Sequence, residues 1–94
     1  MLVSTKDVSA ALQDLMTGGR SREEIASWAR EVRAAEDRDD LEYSPKSAEE
    51  SIWDALEFLM GVDLKVAAET YLHGRADFEA YWVTSREGLS RSDP

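Results

Sequence analysis

Apolar residues recur along the chain at intervals of three and four. Val8, Ala11, Leu12, Leu15 and Met16 form one such stripe, and Ile25, Trp28, Ala29 and Val32 a second, with Arg30 and Arg33 pointing elsewhere. Ile52, Trp53, Ala55, Leu56, Leu59 and Met60 form the strongest. Leu64, Ala67, Ala68, Tyr71 and Leu72, then Phe78, Tyr81 and Trp82, complete the series. This spacing buries one face of a helix. No stretch alternates with period two on β-branched residues, so no strand is predicted.

Start and stop signals bracket the stripes. Ser4 or Thr5 caps the first helix, and Gly18-Gly19 ends it, because glycine enters the left-handed conformation cheaply. Ser21 and Glu24 form a capping box, in which each side chain satisfies the other residue's amide. This second helix fades near Asp37 to Asp40. Pro45 disfavours helical geometry at Ser44, so 39–46 reads as a loop. Ser47 and Glu50 repeat the capping box, and Gly61 closes the third helix. Asp63 caps a short helix from Leu64 to about Leu72, His73-Gly74 turns, and Arg75 to Glu87 forms the last helix. The two Ser-x-x-Glu starts are not a repeat, since the apolar positions after them do not superimpose. The expectation is an all-α fold: a compact bundle of four to five short antiparallel helices. Residues 1–87 would form a single helical domain and 88–94 a flexible tail.

Composition narrows the function. With 43% hydrophobic residues and three tryptophans, the chain is too apolar to stay disordered. The absence of cysteine removes disulfides, thiolate metal sites and a cysteine nucleophile. No apolar run approaches the ~20 residues of a membrane span. The first residues lack a basic segment followed by an apolar one, so no signal peptide is expected and the cytoplasm is the default location. Twenty acids oppose 11 bases, a net charge of −9, which argues against nucleic acid as a partner.

That charge is local. Residues 1–35 are balanced, five acids against five bases, whereas 36–57 hold nine acids and two bases, a net of −7. A concentrated negative patch steers a basic partner. Asp37, Asp39, Asp40, Glu42, Glu49, Glu50 and Asp54 are therefore candidate partner-binding residues. Trp53 is a candidate aromatic anchor and Tyr43 a second aromatic beside it. The competing explanation is a solvated face that keeps the chain soluble.

Other chemistry finds little footing. His73 has Glu69 and Asp77 four residues to either side, a pattern common by chance, and an imidazolium suits a helix terminus. Asp37, Asp39 and Glu42 lack the turn glycine and terminal glutamate of a calcium loop. Gly18-Gly19-Arg20-Ser21 lacks the lysine and spacing of a phosphate loop. Trp28 and Trp82 read as core anchors. No catalytic residue, cofactor or metal site is expected, and the chain is not expected to be an enzyme.

Three blocks also carry a resemblance: Leu15 to Ala29, Trp53 to Leu64, and Tyr71 to Phe78. They look like small bacterial all-helical proteins of uncharacterised families, and the size and acidity are similar to the helical immunity proteins of polymorphic toxin and nuclease colicin systems. The resemblance implies a non-enzymatic inhibitor that covers a basic, nuclease-like toxin site with its acidic patch. The alternative is a structural or regulatory homodimeric helical protein.

Overall fold

A serine makes each of the first two helix starts as predicted. Ser4 Oγ accepts from the amide of Asp7 at 3.1 Å, and the Asp7 carboxylate accepts from the amide of Ser4 at 2.9 Å. Ser21 and Glu24 make the same reciprocal pair at 3.1 and 3.2 Å. The computed structural model describes residues 1–67, 70–71 and 74–91. Its elements are β1 (Leu2–Ser4), α1 (Thr5–Thr17), α2 (Arg22–Asp37), β2 (Glu42–Ser44), α3 (Glu49–Met60), β3 (Lys65–Ala67), β4 (Thr70–Tyr71) and α4 (Arg75–Arg91).

The mostly helical globule holds as predicted. α1 ends at Gly18, whose φ of 79° is the left-handed conformation and whose amide donates to the Asp14 carbonyl at 2.8 Å. α3 is the hub, packing on α1, α2 and α4, while α1 also packs on α4. Val8, Ala11 and Leu12 of α1, Ile25, Ala29 and Val32 of α2, Ile52, Ala55, Leu56 and Leu59 of α3, and Phe78 and Leu89 of α4 share one buried cluster. Trp28, Trp53 and Trp82 are half-buried and pack against it.

Four local expectations need correction. First, the loop over 39–46 contains β2, which pairs in parallel with β1 in the register Leu2–Glu42, Val3–Tyr43, Ser4–Ser44. Three residues are too few for alternation to show in a sequence, and Val3 is buried because this pairing lays it on the core. Second, Ser47 caps nothing. It lies exposed in a 3-10 turn, Lys46–Ala48, that carries Ala48 into the core, and Ala48 holds the cap position of α3 with no side-chain hydrogen bond.

Third, the short helix from Leu64 is instead the antiparallel pair β3–β4, in the register Lys65–Tyr71 and Ala67–Thr70. A helix of some nine residues is marginal, and Val66, Thr70 and Tyr71 are residue types that favour strands. Leu64, placed inward by the helical reading, is 54% exposed, and Val66 beside it 63%. Fourth, α4 runs past residue 87 to Arg91, and Leu89 is buried. Ala68, Glu69, Leu72, His73 and the last three residues lie outside the described residues.

Candidate functional site

The nine predicted partner-binding residues are not gathered into one surface. Asp37 ends α2, fully solvated, and Asp39 follows at φ 58°, a left-handed position that aspartate tolerates. Asp40 is tied to the chain start: its carbonyl accepts from the Met1 ammonium at 2.7 Å, and its carboxylate lies 3.7 Å from the same group. Glu42 donates its amide to the Met1 carbonyl at 2.8 Å while its side chain faces water.

Tyr43 and Trp53, predicted as neighbouring aromatics, do meet. The Trp53 indole Nε1–H donates to the Tyr43 hydroxyl, which in turn donates to Glu36 Oε2 at 2.9 Å. Burial, followed by the acceptor Glu36, holds the Tyr43 hydroxyl above its ordinary pKa despite the Trp53 hydrogen bond. Beside this chain lies a groove of about 430 Å³ lined by Leu41, Glu42, Tyr43, Lys46 and Glu49. Glu50 and Asp54 face the other way, into a polar cleft of about 290 Å³ shared with Ser51 and with Thr84, Ser85 and Gly88 of α4. There Tyr81 donates to Asp54 at 2.7 Å and stacks on Phe58 with ring centres 4.2 Å apart. Burial and Asp54 raise the Tyr81 hydroxyl far above its usual value. Glu42 and Glu49 thus line a different cleft from Glu50 and Asp54. Among the described residues, no group of three or more metal-ligating side chains comes together, and no helix is long and apolar enough to cross a membrane.

A second charged feature went unremarked in the sequence. At ~100° per residue, Arg22, Arg33 and Arg30 fall within about 80° of one another on α2, with Asp37 inside the same arc, Glu23 at its edge, and Glu24 and Glu31 on the opposite flank. This flank meets the segment that follows α3. Arg22 donates to the Val62 carbonyl at 3.4 Å and lies over the Tyr71 ring at 3.8 Å and the Phe78 ring at 5.0 Å. Arg30 donates to both carboxylate oxygens of Asp63, at 3.3 and 3.1 Å, and to the Met60 carbonyl at 3.2 Å. The hydrogen bond from Arg30 is the main reason the Asp63 carboxyl sits below the ordinary carboxylate range. Tyr71 closes the contact by donating to Glu23 at 3.0 Å, and Lys65 Nζ lies 5.1 Å from the same ring. Arg33 is exposed, with no partner among the described residues. Arg20, just ahead of the helix, is paired with Asp14 at 2.6 Å.

The fold and surface define a small helical module in which three of the 11 basic residues, Arg22, Arg30 and Arg33, share one flank of α2. The chain belongs to the family described as "YxzC DNA-binding protein", whose family model matches residues 3–85. It is similar to the uncharacterised protein YxzC of Bacillus subtilis (strain 168), with 35% identity over 72 residues, 77% of this chain and 52% of that protein. The chain therefore spans about half the length of this curated relative. No solved structure matches it.

These findings correct the sequence reading. The resemblance to toxin-immunity proteins does not hold, and with it go the inhibitor role and the basic protein partner. The blocks that carried it are capping boxes and packing stripes, which any small helical protein needs. The exclusion of nucleic acid is also withdrawn, because the family is described as DNA-binding. Net charge misled because it averages over the chain, whereas phosphate contact depends on where the bases sit.

Proposed function

We propose that this chain is a DNA-binding module that works without catalytic chemistry in the cytoplasm, and that it meets the duplex with the arginine flank of α2. The observation carrying this reading is the family match over residues 3–85. The grouping of bases supports it. Arg22, Arg30 and Arg33 share one flank of α2, with Lys65 close by. With so few bases the interface is small, and it reads phosphates more than base edges. The whole molecule's charge repels DNA at long range, so affinity is modest and confined to low salt.

Anisotropy of a labelled duplex, titrated from low to physiological salt, tests this. The expected result is binding at low salt, with a log–log salt slope of about −2 to −3. Arg33→Ala should weaken binding to all sequences alike and reduce the slope by about 1. Absence of binding at low salt overturns the reading.

A further inference from the structure

Arg30 lies on the α2 flank with its guanidinium already occupied. Its guanidinium engages Asp63 with two hydrogen bonds, and the Met60 carbonyl takes a third. The pair bridges elements 33 residues apart in sequence. It is also accessible: the Arg30 side chain is 51% exposed and that of Asp63 21%. A carboxylate that takes an arginine fork two-pronged occupies the geometry that a phosphate takes, and a phosphate presents the same planar match of acceptors. One helical turn away, Arg33 on the same flank is open to water.

We propose that Asp63 is an internal competitor for the DNA phosphate: it holds Arg30 in the free protein and gives it up when the duplex docks. This rests on the DNA-binding reading above and adds to it a residue that sets affinity. Arg33 provides the first contact, since it is open. The phosphate next to it then displaces the Asp63 carboxylate from Arg30, and the turn after α3 is released from α2 on that side. Arg22 stays in place, because its guanidinium is covered by the rings of Tyr71 and Phe78.

The test compares duplex binding by the full chain and by D63N, R30Q and the double variant D63N/R30Q, with E31Q as a control. Glu31 is exposed on the opposite flank of α2, so E31Q makes the same change in net charge without touching Arg30. Thermal melts by circular dichroism establish that each variant is folded at the assay temperature, and D63S replaces D63N if that variant is not. D63N is expected to bind roughly fivefold to tenfold more tightly at low salt with the salt slope unchanged, because the same Arg30–phosphate contact forms without competition. E31Q should gain about twofold or less, since exposed charges at a distance are screened. R30Q should lose affinity, and D63N in that background should gain no more than E31Q. If wild type binds and D63N matches E31Q, or if D63N gains equally without Arg30, the competition is overturned while DNA binding stands. If neither wild type nor D63N binds, the DNA-binding reading falls and takes this inference with it.

Discussion

Single side chains here do two jobs at once, and the clearest case is Tyr43. Its hydroxyl accepts from the half-buried Trp53 indole and donates its own proton to Glu36. Tyr43→Phe leaves the indole N–H without its acceptor, so it should destabilise the protein by about 1 kcal/mol. Urea denaturation followed by tryptophan fluorescence measures this, and an unchanged midpoint would show that water replaces the hydroxyl. Asp63 carries a pH dependence of definite sign. Its folded pKa lies below that of the unfolded chain, chiefly through the Arg30 hydrogen bond. The stabilisation is therefore present above the unfolded value of about 3.9 and is lost as pH falls through the lower folded value. D63N lacks this component, so its melting temperature should fall less steeply than that of wild type between about pH 5 and pH 2; parallel curves would refute the assignment. The aromatic pair was legible in the sequence only as proximity along the chain. The Arg30–Asp63 pair was not legible at all, because nothing local links positions 33 residues apart.

Elements were legible where local chemistry sets them. The boundaries of α1 and α2 follow from Ser4 and Asp7, Gly18, and Ser21 and Glu24, all of which act within one turn. Ser21→Ala removes one half of a reciprocal cap and should cost about 1 kcal/mol, read as a lower urea midpoint with the slope unchanged. Two residues before it, a Cβ at Gly19 would force the Asp14 carboxylate that holds Arg20 to shift. The start of α3 and the β3–β4 pair were misread for one reason. In both, a local helix signal was outweighed by packing elsewhere: Ala48 is drawn into the core ahead of Ser47's cap, and the segment after Gly61 lies against α2 through Arg22, Arg30 and Tyr71. β1 and β2 lie some 40 residues apart, and three-residue strands carry no periodicity of their own.

At the scale of the whole molecule, one cluster of buried side chains drawn from β1 and all four helices holds the fold. A chain of this size has about 5–15 kcal/mol of stability, so single core positions matter. Leu89 is buried beyond the point where the last helix was expected to stop. Leu89→Ala should therefore cost about 2–3 kcal/mol, seen as a clear drop in melting temperature; a variant as stable as wild type would place the end of the core at residue 87. The same scale explains why charge was misread. The sequence placed the excess acid in 36–57 but weighed the total charge against DNA, whereas Arg22, Arg30 and Arg33 share one flank of α2 and the acids of β2 and α3 line two different grooves. The sequence by itself determined the helical class, the first two helices with their caps, and the apolar faces that build the core, because these depend on interactions within a few residues. Only the tertiary structure decided the two short strand pairs, the reach of α4 and the pairing of Arg30 with Asp63, because each depends on groups brought together from distant parts of the chain.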